Sequence, residues 1–288
     1  MSDRQQTLRG RVAVVTGAAR GIGAHVAEQL ARKGVRVALL GLEGEALREV
    51  SQSLPIEGRC WEVDVADEGA MALAAAEIRQ QLGSPSIVVA NAGIAEGGPF
   101  VGSDPATWRR VVEVNLIGSA VTARAFLPDL LTTHGYYLQI ASLASIGAAP
   151  MMSAYCASKA GVESFAHALR AEVAPRGVAV GIAYLNWTDT DLIRDADQHA
   201  VLRELRAHMP RPARKVYPAA DVAARLAAGV EKRSATVYVP SWLRGVQAVR
   251  AGLPPVVGLW SRRTVLGTEF SSTGLLGAGG RASGAAGA

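Results

Sequence analysis

Short runs rich in β-branched residues alternate along this chain with longer stretches rich in alanine and leucine. Parallel strands need crossover connections of a dozen or more residues, and the longer stretches have the length and composition of crossover helices. The alternation therefore predicts a parallel sheet with helices on both faces. The predicted strands are 12–16, 35–40, 59–63, 87–90, 136–141, 179–184 and 236–239, and the predicted helices are 23–33, 44–53, 67–82, 106–131, 154–174 and 220–232.

Right-handed crossovers wind such a chain into a doubly wound, Rossmann-type α/β sheet, mostly of seven parallel strands. We expect one such domain over residues 1–240 of the 288. Only 5% of residues are aromatic while 49% are hydrophobic, so the apolar content is alanine, valine and leucine, which suits helices packed on a parallel sheet.

Three segments lie outside the alternation. Residues 188–218 are charged, partly helical and interrupted by prolines, and they leave the carboxyl end of a strand, where ligands bind. They are either a substrate lid or an ordinary surface excursion. Residues 241–270 have an amphipathic pattern, which fits packing on the parent domain, an oligomer contact or, through 242–260, a membrane-surface contact. Residues 271–288 are rich in Gly, Ala and Ser and predict a disordered tail.

Composition narrows the partners and the compartment. The chain has no uninterrupted run of 18 apolar residues and a polar N-terminus, so we expect neither a spanning helix nor a secretory signal. Cys60 and Cys156 form no C-x-x-C pattern, which favours the cytoplasm. The net charge of +5 indicates a solvated basic surface or an anionic partner. No pattern typical of nucleic-acid binding occurs, and the scattered His residues predict no metal site.

The first predicted strand leads directly into a glycine-rich turn and then a helix. Gly17, Gly21 and Gly23 follow the spacing G-x-x-x-G-x-G. Glycines at such a turn allow a backbone to approach a pyrophosphate closely, and the N-terminus of the helix attracts the negative charge. The turn therefore predicts a dinucleotide-binding site.

Tyr155 and Lys159 stand four residues apart in a predicted helix and so share one face. An ammonium group beside a phenol favours the phenolate and lowers a pKa that is ordinarily about 10. Tyr155 is thus a candidate proton donor and acceptor near neutral pH. The alternative for the pair alone is a solvated helix face.

Further motifs follow the turn in a fixed order: Asp64-Val65, Asn91-Ala92-Gly93, Asn115, Ser142, and then Tyr155 with Lys159. With this order, the chain resembles the short-chain dehydrogenase/reductase family, in its ordinary single-domain branch, over roughly residues 8–240. The resemblance implies hydride transfer between NAD(P) and a carbonyl or alcohol substrate. The alternative is a catalytically inactive nucleotide-binding regulator or scaffold, against which the complete set of motifs argues.

The resemblance also implies roles for four catalytic residues. Tyr155 would protonate the carbonyl oxygen during reduction, or accept a proton in the reverse direction. Lys159 would lower the Tyr155 pKa and bond the nicotinamide ribose, and Ser142 would bond the substrate oxygen. Asn115 would hold, with both ends of its amide, a water that links Lys159 to solvent. Taken singly, Asn115 fits a hydrogen bond inside a helix and Ser142 fits a cap at a strand end.

By the same resemblance, Asp64 would accept from the adenine amino group, Asn91 would stabilise the central strand, and Gly93 would leave room for the cofactor. Thr188 and Thr190 are candidates for contacts with the carboxamide and the diphosphate. The full set of implied cofactor-binding residues is Gly17, Ala19, Arg20, Gly21, Ile22, Gly23, Gly41, Leu42, Glu43, Asp64, Val65, Asn91, Ala92, Gly93, Tyr155, Lys159, Thr188 and Thr190.

NADP(H) is favoured over NAD(H) by the residues at the end of the second strand. An acid there would bind the ribose 2′-hydroxyl of NAD, but Gly41 occupies that position. Arg20, in the glycine-rich turn, is placed to meet a 2′-phosphate. Leu42 adds no positive charge, and Glu43 is an alternative ribose contact that would favour NAD.

The chain departs from the family after the sixth strand, where Leu185 and Asn186 replace the usual Pro-Gly. The apolar loop 146–152 predicts an apolar substrate, either steroid-, polyketide- or acyl-like. The family's oligomers imply a homodimer or homotetramer through helices 106–131 and 154–174. The candidate pocket residues are Leu143, Ala144, Met151, Met152, Trp187 and 192–209, and the helical stripe Val162, Phe165, Leu169 and Val173 serves either the oligomer contact or the core.

Overall fold

A computed structural model describes residues 8–264 and 272–277. The strands of the described chain are β1 Val12–Thr16, β2 Arg36–Gly41, β3 Arg59–Glu62, β4 Ile87–Ala90, β5 Ala95–Glu96, β6 Tyr136–Ile140, β7 Ala179–Leu185, β8 Thr188–Asp189, β9 Tyr217–Pro218, β10 Thr236–Val239 and β11 Leu275–Leu276. The helices of eight or more residues are α1 Gly21–Arg32, α2 Gly44–Ser53, α3 Glu68–Leu82, α4 Pro105–Val112, α5 Gly118–Thr133, α7 Ser153–Val173, α8 Asp191–Gln198, α9 Ala200–His208, α11 Ala219–Glu231 and α13 Leu253–Thr264, and the shorter ones are α6 Leu143–Ile146, α10 Arg211–Arg214 and α12 Leu243–Ala248.

Seven strands form one parallel sheet in the order β10-β7-β6-β4-β1-β2-β3. The doubly wound fold predicted from the alternation is therefore confirmed. The strand order reverses beside β1, because the chain runs from β1 to β2 on one side and returns to β4 on the other. Ligands of open α/β sheets bind at such a switch point, beyond the carboxyl ends of the strands.

Both faces of the sheet are covered, as the near-continuous apolar strands require. Within β1, successive side chains point to opposite faces, so Val12 and Val14 join one core cluster while Ala13 and Val15 join the other. Helices α3, α5 and α7 cover the first face, and helices α1, α2 and α11 cover the second.

The stripe on α7 lies mainly in the core. Val162, Leu169 and Val173 are buried within the domain, and Phe165 packs partly buried against the same cluster. Of the two alternatives predicted for this stripe, the structure therefore supports the core.

Segment 188–218 contains α8, α9 and α10. Its two ends are joined by a short parallel ladder, in which Thr188 of β8 pairs with Tyr217 of β9. The ladder returns the segment to the carboxyl edge of the sheet, beside the end of β7.

The C-terminal extension packs on its parent domain. Leu243 is fully buried in the main core cluster, and Trp242, Val246 and Leu253 pack partly buried against it. This is the first of the three predicted alternatives for residues 241–270. Val249, Val256 and Leu259 point outward and are exposed.

The prediction of a disordered tail is wrong for residues 272–277. Leu275 and Leu276 pair with Glu96 and Ala95 in an antiparallel two-stranded sheet, β11 with β5. The composition of the tail concealed this strand because its partner lies far away along the chain. Residues 278–288 lie outside the described residues.

Within the described residues, one helical stretch has the length and apolar composition of a membrane span, namely the 29 residues Pro105–Thr133. Half of its most apolar window is buried inside the fold. A core helix of this architecture meets the same criteria, because it too must be apolar over much of its surface. Within the stretch, residues Glu113–Ile117 form a π-helical turn between α4 and α5.

Candidate active site

The glycine-rich turn connects β1 to α1 with little space for any side chain. A Cβ atom on Gly17 would lie 2.8 Å from the Cα atom of Ala92, and one on Gly23 would lie 2.2 Å from the Gly17 carbonyl oxygen. Gly17 and Gly21 also have positive φ angles of 62° and 54°. The backbone thus forms a cradle at the N-terminus of α1, where N–H groups and the helix dipole favour a phosphate.

Asn91 joins the ends of the two central strands, as the resemblance predicted. Its side-chain Nδ2 donates to the carbonyl oxygens of Thr16 at 2.9 Å and Gly17 at 3.2 Å. In return, the Thr16 hydroxyl accepts from the backbone N–H groups of Asn91 and Ala92, both at 3.0 Å. These bonds hold the cradle and the end of β4 in register.

A cleft of about 440 Å³ lies at the switch point. The predicted residues that line it are Gly17, Ala19, Arg20, Gly21, Ile22, Gly41, Leu42, Glu43, Asp64, Val65, Asn91, Ala92, Gly93, Ser142, Tyr155, Lys159, Thr188 and Thr190. Gly23 is absent from this lining because it packs against Gly17. Sequence reasoning missed several lining residues, among them Arg110, Asp191 and Leu275.

Arg20 and Glu43 face each other across one end of the cleft and form an ion pair. Asp191 of the lid segment is also 4.0 Å from the Arg20 guanidinium. Arg20, which favours NADP(H), and Glu43, which favours NAD(H), are thus held together, so neither acts independently of the other.

Asp64 already has two partners at the adjacent corner of the cleft. Its carboxylate pairs with Arg110 of α4 and accepts from the Ala66 N–H at 2.9 Å. Arg110 in turn lies 3.8 Å from Glu113. A contact from Asp64 to adenine would therefore be made by a carboxylate that Arg110 fixes in place. The sequence analysis missed Arg110, because nothing in the sequence around it indicates that it contacts Asp64, which follows β3.

Ser142, Tyr155 and Lys159 converge at the opposite part of the cleft. Lys159 Nζ lies 5.7 Å from the centre of the Tyr155 ring and donates to the Ile140 carbonyl oxygen at 3.3 Å. Ser142 lies two residues after the end of β6 and caps α6 by accepting from the Ala144 N–H at 3.2 Å. Ser142 therefore both caps a helix and lines the cleft beside Tyr155, so the two alternatives predicted for it are compatible.

The pKa values of this group differ from the sequence-based expectation. Burial raises the pKa of the Tyr155 phenol above its usual value, although a hydrogen bond with Ser142 acts in the opposite direction. Burial also lowers the pKa of Lys159 to about 8. The sequence predicted a lowered pKa for Tyr155, whereas in this structure burial raises that pKa, because loss of water disfavours the phenolate.

Asn115 lies on the π-helical turn and does not line the cleft. Its Oδ1 accepts from the Ile94 N–H at 2.8 Å, and its Nδ2 donates to the Ile94 carbonyl and to the Ser158 hydroxyl, both at 2.9 Å. Both N–H groups of the amide are thus used within the protein, and Oδ1 keeps a second accepting site for the predicted water between Lys159 and solvent, which stays a prediction. The amide joins the loop after β4 to the helix that carries Tyr155 and Lys159.

Asn186 replaces the family's glycine with a side chain that binds the lid segment. Its Nδ2 donates to the carbonyl oxygens of Ala213 at 3.0 Å and Lys215 at 3.1 Å. Thr188 donates to the Asn186 carbonyl at 3.0 Å, and Thr190 donates to the Thr188 carbonyl at 3.2 Å. The departure therefore fastens the returning end of the lid to the end of β7.

Most of the candidate pocket residues lie elsewhere. Leu143, Ala144, Met151, Met152 and Trp187 do not line the cleft. Met152 is buried in a small apolar cluster, and the Trp187 indole donates to the sulfur of Met209. From the predicted lid, Leu192 and Ile193 do reach the cleft.

The comparisons with known proteins agree with this geometry. The family model described as short chain dehydrogenase matches residues 11–200. The chain belongs to the short-chain dehydrogenase family. A bovine dehydrogenase/reductase SDR family member 7B is 32% identical over 248 residues, which cover 81% of this chain and 75% of the relative.

Two further members of the family place the chain among oxidoreductases. The 3-oxoacyl-[acyl-carrier-protein] reductase FabG of Pseudomonas aeruginosa is 32% identical over 206 residues, 69% of this chain and 83% of the relative. A short-chain dehydrogenase/reductase from Burkholderia phymatum, solved in complex with NAD, superposes with a TM-score of 0.73 at 25% identity, covering 84% of this chain and 93% of that one.

The residues of the cleft fit a nicotinamide dinucleotide. The cradle at Gly17 and Gly21 leaves no room for side chains, and the α1 N-terminus behind it offers N–H groups to a diphosphate. Thr188 and Thr190 line the same cleft as Tyr155 and Lys159, and a Cβ atom on Gly21 would lie 3.1 Å from the Thr190 methyl group. Among the described residues, no group of three or more His, Cys, Asp or Glu side chains is arranged to hold a metal ion.

Proposed function

We propose that this short-chain dehydrogenase transfers a hydride between NAD(P) and a ketone or secondary alcohol, with Tyr155 as the general acid and base. The observation that carries the proposal is the convergence of Ser142, Tyr155 and Lys159 in the cleft that contains the glycine cradle. An inactive regulator would have no use for a proton donor at that position.

The chain's own residues supply the proton transfer. The raised pKa of Tyr155 keeps its proton on the phenol at neutral pH, ready for donation to a carbonyl oxygen. Ser142 offers a second hydroxyl to the same oxygen. Lys159, whose pKa is about 8, is mostly protonated at pH 7 and stabilises the phenolate that donation leaves behind. The bound nicotinamide supplies the hydride to the carbonyl carbon, or accepts it in the reverse reaction.

We favour NADP(H) over NAD(H) as the cofactor. Gly41 leaves the end of β2 without an acid for the ribose 2′-hydroxyl, and Arg20, which pairs with Glu43 two residues later, is a cation that lines the same cleft. The ion pair with Glu43 means that a 2′-phosphate must compete with a carboxylate for Arg20. The preference therefore rests on the balance of these two charges.

Titration with NADPH and with NADH, followed by nicotinamide fluorescence, tests the function and the preference together. We expect NADPH to bind more tightly than NADH. Arg20→Ala should weaken NADPH binding by about tenfold while changing NADH binding little. Glu43→Gln should strengthen NADPH binding, because it frees Arg20 from its ion pair. Arg32→Ala, at the other end of α1 and 59% exposed, is the matched control. If neither dinucleotide binds, the proposed oxidoreductase function is excluded.

We propose an apolar ketone or alcohol as the substrate. Support comes from Leu185, Leu192, Ile193 and Leu275, which line the cleft together with Tyr155. A turnover panel of steroid, polyketide-like and acyl ketones against polar sugars tests this class. Acceptance of the sugars alone would exclude an apolar substrate.

We further propose that the enzyme works in the cytoplasm as a homodimer or homotetramer. The proposal extends the family's habit of pairing through the helices that here are α4, α5 and α7. A membrane-surface contact through Val249, Val256 and Leu259 is a second proposal, supported by their exposure on the extension. Flotation with liposomes of wild type against Val256→Ser/Leu259→Ser tests it.

A further inference from the structure

Residues 272–277, which we name the C-terminal strap, return to the entrance of the active site. Leu275 and Leu276 pair with Glu96 and Ala95 across the antiparallel ladder of β11 and β5. Thr273 adds two bonds, because its N–H donates to the Gly97 carbonyl at 2.8 Å and its hydroxyl accepts from the Gly97 N–H at 2.9 Å. The strap is therefore fastened to the loop that follows β4 and the Asn91-Ala92-Gly93 motif.

The two leucines of the strap point in different directions, as neighbours in a strand do. Leu276 is 3% exposed and packs with Ala95, Met152 and Leu202 in a small apolar cluster, against which Tyr155 also packs. This cluster anchors the strap beside Tyr155. Leu275 points the other way and lines the cleft.

Gly277 brings the strap against the lid segment. Its φ angle is +75°, and a Cβ atom there would lie 2.9 Å from Leu192 Cδ1 on α8. Both Gly277 and Leu192 line the cleft. The lid and the strap thus meet at the cleft, whose lining also includes Tyr155.

A buried carboxyl group adds to the attachment. Glu96 is 6% exposed, and its Oε1 accepts from the Ser272 hydroxyl at 3.3 Å. Burying a carboxyl group without a partner is costly, so the Ser272 contact stabilises the strap in this position.

We propose that Leu275 of the C-terminal strap is a specificity-determining residue, which forms the apolar wall of the substrate end of the cleft and limits the size of the ketone that reaches Tyr155. The inference rests on the proposed function, since it assigns a substrate contact to that site. No catalytic motif of the chain includes this residue, and the sequence alone gives the segment no structure.

A size series of ketones tests the proposal: cyclohexanone, 1-decalone and a 3-ketosteroid, each with NADPH. Leu275→Ala should raise kcat/KM for the largest ketone relative to the smallest by about tenfold, and Leu275→Trp should lower that ratio by a similar factor. Val256→Ser, exposed on α13 of the same extension, is the control and should leave the ratio unchanged. Hydrogen exchange at the Thr273 and Gly97 amides, which donate to each other's residue, verifies that each variant keeps the strap in place.

If the ratio of kcat/KM values is unchanged in both Leu275 variants while the Thr273 and Gly97 amides stay protected, the proposal is overturned. If wild type reduces no ketone with either cofactor, the proposed function fails separately. The binding of the same ketones is then measured by calorimetric titration of protein mixed with NADPH, because ketone binding depends on the shape of the cleft and not on hydride transfer. A difference in ketone size preference between Leu275→Ala and Leu275→Trp would still support the role of Leu275. The absence of such a difference would reject it.

Discussion

At the scale of single residues, Tyr155 and Lys159 show how burial changes an expectation built on charge. A pair of such groups in water would stabilise each other's ions, but here desolvation moves both towards the neutral form. For a carbonyl reduction this is useful, because the acid keeps its proton until the substrate oxygen takes it. The charge interaction then acts on the phenolate that follows donation.

Tyr155→Phe removes the proton donor and little else. We expect turnover to fall by about a thousandfold or more, while the dissociation constant for NADPH changes by less than about threefold. Steady-state kinetics and fluorescence titration on the same preparation check both statements. Tyr217→Phe, on β9 away from the cleft lining, is the control. Substantial ketone reduction by Tyr155→Phe would remove Tyr155 from the proposed mechanism.

The pKa of Lys159 predicts how the free energy of unfolding depends on pH. Its folded pKa of about 8 lies below the ordinary 10.5, so the unfolded chain binds more protons between these values. The buried ammonium costs stability below pH 8, and the cost disappears as pH rises towards 10.5. Relative to Lys159→Met, wild type should therefore gain up to about 3 kcal/mol of unfolding free energy between pH 7 and pH 10.

Urea denaturation of both proteins at pH 7, 8.5 and 10 provides the measurement. Taking the difference between wild type and variant removes the contribution of other titrating groups that the two share. A difference that stays constant with pH would mean that Lys159 has an ordinary pKa in the folded protein.

At the scale of elements, the sequence predicted the seven strands of the main sheet and the helices between them to within a few residues. Strands such as β1 and β4 are short, uninterrupted apolar runs, which only a sheet covered on both faces can bury. The π-helical turn and the pairing of β11 with β5 were not predictable, because neither has a local pattern. Both depend on contacts between residues that are distant in sequence.

The residues of the candidate site also divide into those that the sequence predicted and those that required the structure. Apart from Tyr155 and Lys159 on α7, the motif residues that line the cleft lie at or after strand ends, and parallel strands bring those ends to one edge. Arg110 with its ion pair to Asp64, and the ion pair between the predicted residues Glu43 and Arg20, required the structure. The exchange of Pro-Gly for Leu185-Asn186 could be seen in the sequence, but its consequence, a fastened lid, could not.

The contact between α7 and the C-terminal extension gives a prediction at this scale. Glu163 is buried in α7 and accepts from Tyr184 and Gln247, both at 2.8 Å, and from Arg250 at 2.6 Å. Arg250→Ala leaves the carboxylate without its cation and should lower the unfolding free energy by about 2 kcal/mol, a value reduced for the partial exposure of the arginine. Thermal and urea denaturation measure the loss.

Arg244→Ala, exposed on α12, is the matched control and should change stability by less than about 0.5 kcal/mol. The double variant Glu163→Gln/Arg250→Ala should recover part of the loss, because it removes the uncompensated charge. Equal destabilisation by Arg244→Ala and Arg250→Ala would show that the ion pair contributes nothing specific.

At the scale of the whole molecule, the proposed oligomer has a candidate face on α7. Ala157, Ala160, Ser164 and Ala168 are exposed on this helix, and small side chains allow a second helix to approach closely. We expect light scattering after size exclusion to give two or four times the 30.0 kDa monomer mass. Ala160→Arg should yield monomers, whereas Leu73→Arg, 69% exposed on α3, should not. A monomeric wild type would reject the oligomer.

The pairing of β11 with β5 also has a consequence for how the molecule is made. About 180 positions separate Leu275 from its partner Glu96, so the ribosome completes β5 long before β11 exists. Until then, the edge of β5 has unpaired backbone groups of the kind that invite wrong partners. The cradle for the dinucleotide, at residues 17–23, precedes in the chain the wall that we propose at Leu275. Protein synthesis therefore delivers the cofactor site before it delivers the strap that lines the cleft.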